Sequence, residues 1–212
     1  MLQQNATPPV ALEILKTICG INDLNSFGLG GGTNLALRMG HRLSVDLDLF
    51  TNTPFNTGSI FHVIAKRFSS SELLFEQNQT MMFSIDDIKV DFILYPFPWL
   101  KPFDTIEGIR LLSIEDIIPM KLQAISNRNA KKDYWDIVAL FKTYPLDEML
   151  KVFSSKFPQV DIGYIIHSLT DFEIADSEPD PDTSYGITWN SIKTSLSEAV
   201  SAYTKRDLEN IN

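Results

Sequence analysis

Two aspartates separated by a single residue, Asp46 and Asp48, lie within an apolar stretch of the chain. In a β-strand, residues two apart point to the same face, so both carboxylates project together while Val45, Leu47 and Leu49 face a core. Adjacent carboxylates repel each other unless a cation lies between them, and hard oxygen ligands favour Mg²⁺ or Mn²⁺ over zinc. The spacing therefore predicts a divalent-metal site, although Asp-x-Asp also occurs on the solvent face of ordinary strands.

A glycine-rich turn precedes the two acids and includes Gly31 and Gly32, followed by Thr33. Glycine allows backbone N–H groups to approach a phosphate at a helix N-terminus. Gly31 and Gly32 are therefore candidate phosphate-binding residues, and Thr33 is a candidate helix cap and phosphate contact. No Gly-Lys-Ser/Thr follows, so the turn is not a Walker loop. A phosphate-binding turn followed by paired metal ligands indicates nucleotidyl transfer from an NTP.

Three further residues extend this candidate site. Asp91 is a lone acid in an apolar strand, and a buried carboxylate is costly unless it is paired or bound to metal. It is the candidate third metal ligand, or alternatively an edge-strand acid that faces water. Arg42 is a candidate phosphate contact or packs on the strand edge. Ser44 lies two residues before Asp46, so its hydroxyl is expected either to face the nucleotide or to have a structural role.

The stretch from Phe27 to Phe50 resembles the signature of the polymerase-β-like nucleotidyltransferase superfamily, in which a Gly-Gly pair and a short helix precede Asp-x-Asp. Through Gly-Gly-Thr, Gly-His-Arg and Ser-x-Asp-Leu-Asp-Leu-Phe it most resembles the AbiEii/AbiGii toxin family. Asn34 stands where a small residue is usual in that family. The resemblance implies that Asp91 helps to activate the attacking hydroxyl. Two metal ions held by such acids would clamp the attacking and leaving oxygens during NMP transfer.

A second block, from Ser113 to Phe141, resembles the downstream motif of the family, a helical Lys followed by Arg and by Lys-Asp-x-x-Asp. The resemblance implies that Lys121 contacts the triphosphate as a point charge and that Arg128 belongs to the nucleotide site. Lys132 and Asp133 are expected to orient either the nucleotide or Lys121. The alternatives are a solvated helix lysine at Lys121 and a surface ion pair at the helix start for Lys132 and Asp133.

Composition restricts the partners of the chain. Its 212 residues have a net charge of −9, whereas a dedicated nucleic-acid binder is usually basic. A basic cluster of Lys121, Arg128, Lys131 and Lys132 nevertheless permits an RNA acceptor. The single Cys19 excludes internal disulfides and favours a reducing cytoplasm. No apolar run approaches the roughly 20 residues that span a bilayer, so no membrane association is expected.

The predicted fold class is α/β (α+β), a nucleotidyltransferase core with a mixed sheet and a helical C-terminal region. We expect the catalytic core over residues 1–112 and the helical region, completing the nucleotide site, over 113–212. The apolar periodicity predicts helices at 8–21, 33–39, 58–68, 114–127, 131–144, 145–157, 161–169 and from Trp189 onward. In the helix at 58–68, the side chains expected to face inward are Ile60, Phe61, Ile64 and Phe68. Strands are predicted at 27–31, around the paired acids, and at 72–76, 80–85 and 88–95, with a tight hairpin turn at Asp86-Asp87 between the last two. Pro96, Pro98 and Pro102 mark a loop, and a second loop is predicted over Asp171–Ser184.

The favoured function is a Mg²⁺-dependent nucleotidyltransferase that transfers NMP to a hydroxyl acceptor, RNA and in particular tRNA. It would act as the toxin of a bacterial toxin–antitoxin or abortive-infection system, with an antitoxin encoded nearby, a role that the family resemblance alone implies. The alternatives are an antibiotic-modifying type of small-molecule nucleotidyltransferase and an NTP-binding regulatory module. The set of Asp46, Asp48, Asp91 and Lys121 argues against the module, because binding alone needs no third acid.

Overall fold

The computed structural model describes residues 1–183 and 186–211, with side chains through residue 206. The chain divides into two compact units, the first spanning Met1–Ser113 and the second beginning at Ile114. The first unit contains a mixed β-sheet and helices, whereas the second is helical. In the described residues, no helix is both long and apolar enough to cross a membrane.

Seven strands form the sheet of the first unit in the order β3-β4-β5-β2-β1-β7-β6. Their bounds are β1 (Gly28–Leu29), β2 (Leu47–Thr51), β3 (Glu72–Gln77), β4 (Thr80–Ile85), β5 (Ile88–Leu94), β6 (Asp104–Ile106) and β7 (Ile109–Leu111). β2 is parallel to β5 and β1 is parallel to β7, while the other neighbours are antiparallel. β5 therefore lies between β4 and β2, which excludes the edge-strand interpretation of Asp91.

Two-residue turns set the register of the outer strands. The pairs Asn78-Gln79, Asp86-Asp87 and Glu107-Gly108 all have positive φ at both residues. This is the type I′ conformation, whose twist matches that of a hairpin. The predicted hairpin at Asp86-Asp87 is confirmed, but the β6–β7 hairpin, which follows the proline-marked loop, was not predicted. Its sequence signal is Glu107-Gly108 between the β-branched residues Ile106 and Ile109.

The helices of the first unit are α1 (Pro9–Cys19), α2 (Gly31–Met39) and α3 (Thr57–Arg67). The apolar core lies on one face of the sheet, where Leu47 and Leu49 are fully buried as predicted. Val45, by contrast, is 42% exposed, because β2 begins only at Leu47 and strand alternation does not extend back to it. Phe61 was also predicted to face inward but is 45% exposed, although its ring stacks on Phe83 at 6.5 Å.

The helices of the second unit are α4 (Ile114–Arg128), α5 (Lys131–Leu140), α6 (Leu146–Lys156), α7 (Ile162–Ser168), α8 (Glu173–Asp176) and α9 (Trp189–Ile211). The prediction of a loop over Asp171–Ser184 is wrong at α8, and Ser184 lies outside the described residues. Asp171 Oδ1 accepts a hydrogen bond from the Glu173 amide at 3.3 Å, which favours that short helix. Trp189 stacks on Trp135 at 5.4 Å and holds α9 against α5.

Candidate active site

The glycine turn after β1 leads directly into α2, which begins at Gly31. Gly31 has φ +63°, a left-handed conformation that residues with a Cβ atom adopt only with strain. A Cβ atom here would also overlap Asp48 Oδ2, and one at Gly32 would overlap the guanidinium of Arg42. The glycines therefore allow the N-terminus of α2 to lie against Asp48, a candidate metal ligand, and against Arg42, a candidate phosphate-binding residue.

Thr33 lies inside α2, so its predicted role as the N-cap is wrong. Because Gly31 can take the left-handed φ, the helix begins two residues earlier, with Gly30 at the N-cap position. The Thr33 hydroxyl instead donates a hydrogen bond to the carbonyl oxygen of Asp46 and shares one of 2.8 Å with Ser44 Oγ. Thr33 and Ser44 thus fix the backbone that carries Asp46. Their nucleotide contacts stay predictions.

Asn34 is fully buried and ties α2 to the sheet. Its side-chain amide donates to the carbonyl oxygens of Leu29 at 2.7 Å and Leu112 at 3.0 Å, and its Oδ1 accepts from Arg38 Nε at 2.8 Å. Arg38 also pairs with Asp104 at 2.6 Å. Asn34 therefore has a structural role, since a buried amide stabilises a fold only when its hydrogen bonds are made.

Asp48 and Asp91 lie side by side on the face of the sheet away from its core. The parallel register of β2 and β5 pairs Asp48 with Asp91, so both side chains point to the same face. Asp46 directly precedes β2, and its negative charge helps to raise the pKa of Asp91. Asp48 and Asp91 thus share one face of the sheet, and Asp46 is close enough for its charge to act on Asp91.

Lys89 forms an ion pair with Asp91 that the sequence pattern did not single out. Its Nζ atom lies 2.8 Å from Asp91 Oδ2, and the lysine side chain is 40% exposed whereas that of Asp91 is 9% exposed. Partial burial lowers the pKa of Lys89, but the hydrogen bond and charge of Asp91, with the charges of Asp48 and Asp46, raise it overall. The missed signal is spacing, because Lys89 precedes Asp91 by two positions on one strand.

Burial raises the pKa of the Asp91 carboxyl above its ordinary value, an effect that Lys89 opposes and the charge of Asp46 reinforces. Asp91 Oδ1 is buried and has no hydrogen-bond partner in the part of the chain that the structure describes. Such an oxygen is costly unless a donor or a cation meets it. The carboxylate donor set fits a hard divalent cation such as Mg²⁺, and Oδ1 can still accept a hydrogen bond.

The three carboxylates are not gathered around one point. Among the described residues, no three His, Cys, Asp or Glu side chains are grouped closely enough to hold a metal ion. Asp91 directs one oxygen to Lys89, so shared metal binding would require side-chain rearrangement. Metal binding by Asp46, Asp48 and Asp91 therefore stays a prediction.

Arg42 places a cation at the beginning of α2. The residue is buried, and its Nη1 donates a hydrogen bond to the carbonyl oxygen of Leu43 at 2.9 Å. Its guanidinium lies against Gly32 in the first helical turn. The N–H groups of a first turn and the helix dipole favour an anion, and an adjacent guanidinium adds to that preference.

In the second unit, Lys121 on α4 contacts two aspartates of α5. Its Nζ atom lies 2.9 Å from Asp133 Oδ1 and 2.6 Å from Asp136 Oδ2. Arg128 also approaches Asp133, with Nε 2.7 Å from Oδ2. Lys121 is 4% exposed, which excludes the interpretation of a solvated helix lysine. The cluster of Lys121, Arg128, Asp133 and Asp136 holds α4 and α5 together.

Asp133 stays ionised in this cluster despite its burial. Burial alone would raise its pKa, but the charge of Lys121 and the hydrogen bond and charge of Arg128 outweigh it and hold the pKa below its ordinary value. Lys132 is exposed whereas Asp133 is fully buried, so the two do not form the alternative surface ion pair. The Arg128 side chain is 54% exposed and presents the positive charge of the cluster to solvent.

The structure thus places the predicted site residues in two sets. Gly31, Gly32, Thr33, Arg42, Ser44, Asp46, Asp48 and Asp91 belong to the first unit, and Lys121, Arg128, Lys132 and Asp133 belong to the second. The first set surrounds the N-terminus of α2 and the adjoining strands β2 and β5. In the second set, Lys132 is exposed, whereas the other three form the cluster with Asp136.

Sequence comparison matches nearly the whole chain to one family. The family model described as nucleotidyl transferase AbiEii toxin, type IV toxin–antitoxin system, matches residues 14–208. An uncharacterized protein of Aquifex aeolicus is 36% identical over 172 residues, which cover 78% of this chain and 83% of that protein.

Solved structures of low sequence identity share the fold. JHP933 of Helicobacter pylori superposes with a TM-score of 0.53 at 19% identity, covering 96% of this chain and 97% of that one. MenT4, a nucleotidyltransferase toxin of Mycobacterium tuberculosis, gives a TM-score of 0.54 at 12% identity, covering 83% of this chain and 74% of its own. The predicted fold class, with a mixed sheet and a helical C-terminal region, is confirmed.

Proposed function

Because the chain belongs to the AbiEii family of nucleotidyltransferase toxins of type IV toxin–antitoxin systems, we propose that it transfers NMP from an NTP to a hydroxyl group of RNA, with tRNA the favoured acceptor, in a Mg²⁺-dependent reaction. The observation that carries the proposal is the parallel register of Asp48 and Asp91 beside the glycine turn. It combines paired carboxylates with a helix N-terminus suited to phosphate.

Asp46, Asp48 and Asp91 are the proposed ligands of the divalent cation. A bound Mg²⁺ would lower the pKa of the attacking hydroxyl and neutralise the charge of the departing pyrophosphate. Asp91 is also proposed to orient the acceptor. Its Oδ1 is buried and has no hydrogen-bond donor in the described chain, so it can accept a hydrogen bond from the acceptor hydroxyl. Its raised pKa makes it a stronger base than an exposed aspartate.

In the first unit, the proposed binding site of the triphosphate is the beginning of α2. Gly31 and Gly32 lie in the first turn of α2, where backbone N–H groups have no partner within the helix, and Arg42 supplies a permanent positive charge beside them. Thr33 and Ser44 support this geometry by fixing the backbone at Asp46.

In the second unit, two basic residues are proposed to contact phosphate directly and a third to act indirectly. Arg128 and Lys132 are exposed and can meet a phosphate directly. Lys121 is buried between Asp133 and Asp136, so its proposed part is to hold Asp133, which in turn orients Arg128. This changes the role expected for Lys121 from a direct to an indirect contact.

The proposed RNA acceptor must be reconciled with a net charge of −9. Lys131 was counted among the basic residues, but it is buried and pairs with Asp180 at 3.1 Å. RNA contact therefore depends on Arg128 and Lys132, and it should weaken steeply with salt because phosphate contacts release counterions. The type IV family implies an antitoxin partner, which we propose a neighbouring gene encodes.

The test incubates purified protein and Mg²⁺ with each α-labelled NTP, with and without total bacterial RNA. Label should enter an RNA-sized band with the parent protein, and Asp46→Asn should abolish it. Asp23→Asn removes the same charge at an exposed site and should retain activity. Label on a small cationic metabolite would reject the RNA acceptor. Tight NTP binding without transfer under any condition would indicate a regulatory module instead.

A further inference from the structure

Lys89 is the cation that the structure places against the candidate metal ligands of the first unit. Its ammonium lies 2.8 Å from Asp91 Oδ2, and the charges of Asp48 and Asp46 also act on it. Ser84, the residue on β4 that pairs with Lys89, is uncharged. The acids that act on Lys89 are therefore Asp46, Asp48 and Asp91. One positive charge thus lies among the three carboxylates to which a divalent cation is assigned.

We infer that Lys89 and the divalent cation compete for Asp91, so that Lys89 is a positioning residue which holds the third carboxylate until the cation displaces it. The inference rests on the proposed metal-binding role of Asp91. An ammonium and a divalent cation both neutralise a carboxylate, but they repel each other at short range. The proposed function assigns the unpartnered Oδ1 of Asp91 to the acceptor hydroxyl, so the metal ion binds Oδ2. Because Lys89 already contacts Oδ2, the metal ion must displace the ammonium.

An ordinary surface ion pair would not have this consequence. Surface pairs contribute little because water solvates both partners. Here Asp91 lies in a central strand with a side chain only 9% exposed, while Lys89 is 40% exposed. A buried carboxylate without a cation is destabilising, so Lys89 stabilises the fold at Asp91. Its own exposure lets it move into solvent at small cost when a metal ion replaces it.

The experiment compares Lys89→Met with the parent in two measurements. Calorimetric titration with Mn²⁺ alone should show an affinity about tenfold higher in Lys89→Met, since a nearby positive charge is gone. In EDTA, the Tm of Lys89→Met should be lower by roughly 2–4 °C, because Asp91 has lost its counter-ion. Lys89→Arg should restore the parent values. Lys66→Met, at an exposed lysine of α3, controls for net charge and should change neither.

Two outcomes separate this inference from the proposed function. Mn²⁺ affinity that is unchanged or lower in Lys89→Met would overturn the competition while leaving the metal site in place. A parent protein that binds no Mn²⁺ would overturn the metal assignment and the competition together. The contact itself is tested in EDTA by repeating Lys89→Met in Asp91→Asn: an equal fall in Tm in both backgrounds would overturn the role of Lys89 at Asp91.

Discussion

The carboxylate of Asp48 lies directly against the backbone of Gly31. Gly31 adopts φ +63°, and a Cβ atom at this position would overlap Asp48 Oδ2. Glycine is therefore required here for two separable reasons, its backbone conformation and the absence of a side chain. The contact joins the proposed phosphate-binding turn to the proposed metal ligands, so a change at Gly31 should affect both.

Gly31→Ala should lower the free energy of unfolding and abolish nucleotide transfer. Left-handed φ costs a non-glycine residue about 1–2 kcal/mol, and the overlap with Asp48 adds to that. Gly108→Ala is the matched control, because Gly108 has φ +79° but no described atom within 4 Å of an added Cβ. Urea denaturation and the label-transfer assay check both variants. Equal stability losses with transfer intact would contradict the proposed contact.

Asp91→Asn should abolish transfer yet raise the free energy of unfolding in EDTA at pH 7. The pKa of Asp91 is raised by burial, so its carboxyl stabilises the fold fully below its unfolded pKa, about 3.9, and this stabilisation is lost as pH rises through the folded pKa. The difference in unfolding free energy between Asp91→Asn and the parent should therefore grow as pH increases above about 4. Urea denaturation from pH 4 to 7 measures it, and retained transfer would remove Asp91 from the mechanism.

Lys121→Met and Arg128→Met should have different effects. Loss of Lys121 leaves the buried carboxylates of Asp133 and Asp136 without their shared ammonium, which should cost about 3–5 kcal/mol of unfolding free energy. Arg128→Met should cost roughly 1 kcal/mol, because Lys121 still pairs with Asp133. Arg128→Met should instead weaken NTP binding more than NMP binding in calorimetry. A Lys121→Met protein as stable as the parent would contradict the structural role of Lys121.

Acid should weaken the second unit through Asp133. Its pKa is lowered in the fold, so its stabilisation is complete above the unfolded value, about 3.9, and is lost as pH falls through the folded pKa. Asp133→Asn should be less stable than the parent at pH 7, and the difference should shrink below about pH 4. Urea midpoints at pH 7, 5 and 3 check this, with the exposed Asp23→Asn as control. A constant difference across these values would exclude titration of Asp133 as the cause.

The sequence alone determined the local features of the site. Strand alternation predicted that Leu47 and Leu49 enter the core, and the Asp86-Asp87 pair predicted its hairpin. The glycine pair, Asp-x-Asp and the downstream lysine motif were sufficient to indicate the family. These features depend on dihedral preferences and on the two-residue period of a strand, which neighbouring residues set without help from distant ones.

Only the tertiary structure decided the electrostatic surroundings of the acids and of Lys121. Whether Asp91 lies in an edge or a central strand depends on which strands pair, and sequence distance does not fix that choice. The family resemblance predicted a phosphate contact at Lys121, but the packing of α4 on α5 buries this lysine against Asp133 and Asp136. Burial and ion pairing arise from contacts between elements, and because solvation determines the cost of a charge, its role follows from those contacts.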